Sequence, residues 1–160
     1  VSDQLTDANA FACYAVGCPC WAVHKRGAHW MCVPHAAIDD PRAWPQVTAH
    51  LRAHFWLIKA LARAQHIDPH KWPGGASADA AAFVSRHGRS DLAPTRCQVS
   101  RMIRDRLTGQ DVTQSRTLDE TASAALWVNR VRGALYDEAI KAASEKAGRP
   151  ADHAAQEYQA

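Results

Sequence analysis

Four of the five cysteines in this 160-residue chain fall between positions 13 and 32, and a histidine stands three residues after the last of them. The spacing is Cys13-x4-Cys18, thirteen residues, then Cys32-x2-His35. Two closely spaced donors at each end of a short segment can bring three thiolates and an imidazole to one point, the tetrahedral set that Zn2+ prefers. Thiolates also select Zn2+ over Mg2+ or Ca2+. Gly17, Pro19, Gly27 and Pro34 supply the tight turns that aim such ligands inward. Cys20 could take the place of Cys18, and His24 or His29 that of His35. The preferred set, Cys13, Cys18, Cys32 and His35, keeps the Cys-x2-His knuckle.

Four protein ligands close a metal site, whereas catalytic zinc keeps a position open for water and has a carboxylate beside it. No glutamate precedes residue 120, and Asp39 and Asp40 are the aspartates nearest the cluster. The His-x-Glu and Pro-Cys-x2-Cys pattern of deaminases is absent. The expected ion is therefore structural, holding a segment too small to form its own core, and the chain is not expected to be an enzyme.

Away from the cluster, two groups of cations could meet a polyanion. Arg52, Lys59 and Arg63 share a face if one helix runs from Pro45 to His66, with Trp56 beside them to stack on a base. Arg96, Arg101 and Arg104, with Arg106 nearby and Arg86 and Arg89 upstream, form the densest basic stretch. A solvated charged surface is the plainer explanation for both. His50 and His54 imitate the zinc-protease helix but lack its glutamate. They read as packing against the finger or as exposed, with a second metal site as the sharper alternative. Cys97 reads as a small buried apolar residue.

The elements that must position these groups are mostly helical. Trp21, Val23 and Trp30 flanked by turn residues predict a β-hairpin over the cluster. Val47, Leu51, Phe55, Ile58 and Ala62 recur at helical steps. Ala76–His87 and Thr95–Leu107 read as two further helices, and residues 110–116 as a polar linker. Thr117 with Glu120 three positions later is a capping box, so a long helix is expected from there to about Gly148. Its stripe, Ala124, Val128, Val131, Leu135, Ala139 and Ala142, either closes the body or makes a homodimer. The expected fold is mainly α: a zinc-bound β-hairpin at residues 1–40 packed on about four helices at 41–160.

Charge is uneven around a net +3. Residues 41–110 hold eleven basic and four acidic side chains, while both flanking segments are slightly acidic. Clustered cysteines in odd number argue against a disulfide scaffold and for a reducing compartment. With no apolar run of membrane-spanning length and no secretory leader pattern, the chain is expected in the cytoplasm of a bacterial host, with no membrane partner.

Cys13-Tyr-Ala-Val-Gly17-Cys18-Pro19 and Trp30-Met-Cys32-Val-Pro-His35 resemble the N-terminal zinc-finger segment of small phage and prophage proteins of mostly unassigned function. Trp44 and the run Val47-Thr48-x2-Leu51-x2-His54 are similar to the segment on the C-terminal side of that finger. The resemblance covers residues 13 to roughly 55, and Cys20 departs from it. It implies a phage or mobile-element accessory protein that binds nucleic acid in replication, recombination or transcription control. The alternative is a modulator that binds a host or phage protein, favoured by the small overall charge.

Overall fold

A computed structural model of the chain describes residues 12–104 and 108–147. Their elements run β1 (His24–Arg26), β2 (His29–Met31), α1 (Val33–Ala37), α2 (Trp44–Ala53), α3 (Phe55–Ala64), α4 (Ser77–Arg86), β3 (Arg96–Arg104), β4 (Asp111–Asp119) and α5 (Ala124–Ala147). Five helices and two separate antiparallel hairpins thus make up the described regular structure, apart from short turns. None of the described helices is long and apolar enough to cross a membrane.

The chain forms two compact units: residues 12–58 with 133–147, and residues 59–104 with 108–132. In the first, β1 and β2 pair through His24↔Met31, Lys25↔Trp30 and Arg26↔His29. Only Gly27 and Ala28 link them, and Gly27 has φ 60° while Ala28 is not left-handed, as a type II′ turn requires. Cys32 then stands extended at the N-cap of α1, with proline in its first turn. Asp40 accepts from the Arg42 backbone N–H at 3.0 Å and turns the chain into α2. Met31, Cys32, Val47, Leu51, Leu57, Leu135, Ala139 and Ala143 are buried in this unit.

The expected single helix from Pro45 to His66 is instead two, α2 and α3, broken at His54. No glycine or proline marks the break. His54 leaves the helical region (φ −105°, ψ 21°), and both its backbone N–H and its Nδ1–H are directed to the His50 carbonyl, at 3.2 and 2.9 Å. The break places Arg52 on a different helix from Lys59 and Arg63.

In the second unit two tryptophans organise the core. Trp72 and Trp127 pack with ring centroids 5.4 Å apart. Each is buried, and each satisfies its indole N–H on a backbone carbonyl at 2.7 Å: Trp72 on Glu120 and Trp127 on Leu92. Leu61, Val84, Leu92, Val128 and Val131 are also buried in this unit. Ala76–His87 emerges as expected, as α4.

The helix expected over Thr95–Leu107 is a correction: residues Arg96–Arg104 are strand β3. Of the linker expected at 110–116, residues 111–116 lie in its partner, β4. Nine residue pairs run from Arg96↔Asp119 to Arg104↔Asp111. β-Branched Val99, Ile103, Val112, Thr113 and Thr117 favour extended backbone, and Gly109 (φ 68°) turns left-handed at the β4 end of the connection. Leu107 itself lies outside the described residues.

α5 begins at Ala124, not Thr117, because Glu120 is used elsewhere. Its carboxylate is buried and accepts from the Thr95 N–H at 3.0 Å and the Arg130 guanidinium at 2.9 Å. Its backbone N–H donates to the Thr95 carbonyl, which closes the base of the β3–β4 ribbon. The anticipated stripe on α5 is buried at Val128, Val131, Leu135 and Ala139, and joined by Ala143 in place of Ala142.

Candidate metal centre

Local geometry explains the ligand spacing. Left-handed Gly17 (φ 71°) and a turn closed by the Cys18 N–H on the Ala15 carbonyl (3.1 Å) fold the Cys13–Cys18 segment back. The Cys13 N–H then reaches the Cys20 carbonyl and the Tyr14 N–H the Trp30 carbonyl, laying this loop along the β1–β2 hairpin. At the other end, Cys32 caps α1 and His35 lies one turn into it. A separation of three on a helix puts both side chains on one side.

Ligand atoms of Cys13, Cys18, Cys32 and His35 all lie within 4.8 Å of one another. With metal–sulfur bonds of about 2.3 Å and metal–nitrogen bonds of about 2.05 Å, a tetrahedron has S···S edges near 3.8 Å and S···N edges near 3.6 Å. The Cys18–Cys32 Sγ separation is 3.8 Å, and Cys13 Sγ stands 3.5 Å from His35 Nδ1. Cys32 Sγ is closer, 3.1 Å from the same nitrogen. The four residues therefore form a cluster that fits one metal ion. None of the described cysteines is in a disulfide.

The surroundings also suit ligation. His35 is fully buried, with Nε2 3.3 Å from the Trp44 carbonyl and 3.1 Å from Thr48 Oγ1. A carbonyl can only accept, so Nε2 carries a proton, and in the neutral ring the lone pair is then on Nδ1, which faces the sulfurs. Outer partners of this type fix the tautomer of a metal-binding histidine. Backbone N–H groups of Cys32 and Cys20 donate to Cys13 Sγ (3.4 Å) and Cys18 Sγ (3.5 Å). Cys20 is buried beside the cluster but outside the converging set. His24 is exposed on β1, and His29 stacks on Tyr14 with centroids 3.6 Å apart.

The close approach of these groups lets each shift the protonation of the next. Hydrogen bonds from Cys13, Cys20 and Cys32 hold the Cys18 thiol far below the usual range. Hydrogen bonds to Cys13 first, then to Cys18 and Cys20, drive Cys32 far above it. Cys20 is pushed up to about 12, chiefly by its hydrogen bond to Cys18. At His35 burial favours the neutral ring, yet hydrogen bonds to Cys13 and Cys18 outweigh it and raise the pKa to about 9. A divalent cation would relieve this competition by stabilising every thiolate together.

The cations expected to meet a polyanion fall on α2, α3 and β3. Arg52 serves the knuckle: its Nε donates to the Gly17 carbonyl at 2.8 Å. Lys59 and Arg63 are exposed on α3, four residues apart. Arg96, Arg101 and Arg104 lie on β3 rather than on a helix; the Arg101 side chain and all of Arg106 fall outside the described residues. Arg116, on β4 opposite Val99, is a further exposed cation, in a segment expected to be linker. The β-branched Val112, Thr113 and Thr117 around it were the available signal. Cys97 is exposed on β3, not buried in a helix.

No protein-family model, curated protein or solved structure matches this chain.

Proposed function

We propose that this protein is a nucleic-acid-binding accessory factor of phage or mobile-element type, whose Cys13, Cys18, Cys32 and His35 hold a structural Zn2+ and whose β3–β4 ribbon contacts duplex DNA. The observation that carries the reading is the ribbon itself. At about 3.4 Å per residue its nine paired positions extend roughly 30 Å, and a two-stranded ribbon fits the major groove, about 12 Å wide.

Strand alternation puts Arg96, Gln98, Ser100, Met102 and Arg104 on one face, with Thr113, Ser115 and Thr117 opposite them. Arginine, glutamine and hydroxyl side chains are the groups that bind phosphates and base edges. Ser100 and Ser115 hydroxyls meet at 3.0 Å across the strands, and most of this surface is exposed. Arg116 adds a cation on the other face. Asp119 and Asp111 stand opposite Arg96 and Arg104 on the same face, with Arg96 Nε 3.8 Å from Asp119, so the charges at the two ends of the ribbon are partly balanced around an uncharged polar middle.

Fluorescence anisotropy on labelled duplex DNA across a salt series tests this. Binding should weaken steeply with salt, and Arg104→Ala or Arg116→Ala should each flatten the dependence of log K on log salt by about 1. Absence of binding at low salt, or binding indifferent to both substitutions, would remove the ribbon from the reading.

A second reading, a protein-binding modulator, is favoured by the finger hairpin. Trp21 is 71% exposed and Trp30 49%, with Val23 and Tyr14 also exposed in the same module. Aromatic groups of this kind are enriched in protein interfaces. Loss of partner capture on Trp30→Ala, with DNA affinity intact, would favour it.

A further inference from the structure

The first unit contains a second group of metal-binding side chains. His50 lies in the last turn of α2 and His54 closes that helix, so the two are four residues apart on one side. Their rings stack with centroids 4.4 Å apart. From α5, Glu138 brings Oε2 to 3.6 Å from His50 Nε2. One ligand atom from each of His50, His54 and Glu138 lies within 4.8 Å of the other two. We infer that these three residues form a second, open site for a divalent transition-metal ion.

Three features support the assignment. The first is the donor set, two imidazoles and one carboxylate, a combination that recurs around Zn2+ and Fe2+ with coordination positions left for water. The second is tautomer control. His54 Nδ1 lies 2.9 Å from the His50 carbonyl, which can only accept, so Nδ1 carries the proton and Nε2 keeps its lone pair. The third is spacing. At 3.6 Å the His50–Glu138 pair is longer than a hydrogen bond, yet close to the 3.3 Å or so that separates two nitrogen or oxygen ligands of one tetrahedral ion. Since every separation is within 4.8 Å, closing the widest gap needs a shift of at most about 1.5 Å. Access for an ion is from the Glu138 side, whose side chain is 38% exposed, because His50 Nε2 is itself buried at the inner end of the group.

The site differs in kind from the Cys13–His35 cluster. That set supplies four ligands and is closed; this one supplies three and leaves a place for water or for an oxygen of a bound molecule. Its carboxylate comes from a helix remote in sequence, which is why the His50-x3-His54 spacing alone did not reveal a full ligand set. An ordinary histidine–glutamate ion pair is the competing account of the same geometry.

The test uses the full-length protein and Co2+. Metal at the cysteine cluster gives an intense thiolate-to-cobalt charge-transfer band in the near ultraviolet. Metal at His50, His54 and Glu138 has no thiolate and adds only weak visible bands. Wild type should take up a second equivalent of Co2+ after the thiolate band saturates, with bound metal counted by mass spectrometry after gel filtration. His54→Ala and Glu138→Gln should weaken that second equivalent by more than the roughly 10–100-fold that loss of an outer-shell partner costs, with the thiolate band intact. Glu138→Gln preserves the shape of the side chain, and the retained thiolate band reports that the unit has folded. Wild type that binds only the thiolate-associated equivalent would overturn the inference, as would variants that bind the second equivalent unchanged. Neither result depends on whether the ribbon binds DNA.

Discussion

The two units secure a β-hairpin by opposite means. In the β1–β2 module three thiols and an imidazole converge within 4.8 Å of one another, a set suited to a cation. At the base of β3–β4 the charges are already balanced within the chain: Glu120 against Arg130, with the Thr95 N–H as a further donor. Around that pair the two tryptophans supply the large apolar area that the finger lacks. The first arrangement suits a segment of little more than twenty residues, for which a bound metal would replace a core. The second needs tryptophans and helices from distant parts of the chain, but no external component.

The contrast breaks most sharply at Cys32. Cys32→Ser should abolish stoichiometric zinc binding and unfold residues 13–35, since structural zinc contributes about 10–16 kcal/mol of apparent binding energy in peptides of this size. Zinc analysis and hydrogen exchange would show it, with protection in β3, β4 and α4 unchanged. Retention of full zinc would overturn the ligand set. Acid should act in the same direction: ligands must be deprotonated to bind, so falling pH protonates the thiolates and His35 and releases the ion. Chelatable zinc should therefore rise as pH falls below neutrality and be recaptured on return.

These sites were unequally legible in the sequence, for physical reasons. The four cluster ligands fall in two local pairs, and cysteine and histidine are scarce enough for their spacing to carry information. Helix α4 was legible from its alanine-rich run and the glycine just beyond it. The β3–β4 ribbon was not: much of both faces meets solvent, so the hydrophobic alternation that marks a half-buried strand is weak, and residues 110–116 resemble a linker. Glu120 fits a capping box locally, but tertiary partners at Thr95 and Arg130 claim its carboxylate. The break at His54 depends on hydrogen bonds to the His50 carbonyl, which periodicity does not register. That break also separates Arg52 from Lys59 and Arg63.

Glu120→Gln sharpens the comparison from the other side. It should destabilise the second unit by about 3 kcal/mol, the low end for a broken buried pair, because Arg130 is 35% exposed and water can partly replace its partner. Urea unfolding should show a lower midpoint for that unit, while zinc content stays at the wild-type level. A parallel loss of zinc would mean that the two hairpins are not independently secured.

The smallest effect should come from Thr48→Val, which tests how far the finger relies on α2 as well as on metal. Thr48 Oγ1 is one of two groups beside His35 Nε2, the other being the Trp44 carbonyl. Valine preserves the volume and removes the hydroxyl, but the carbonyl can still hold the ring in the same tautomer. Zinc affinity in a competitive chelator titration should therefore fall by about 10-fold, the lower limit for loss of an outer-shell partner. No change would assign the orientation of His35 to the backbone alone. A loss approaching that of Cys32→Ser would show that α2, rather than the ion, is the principal support of the finger.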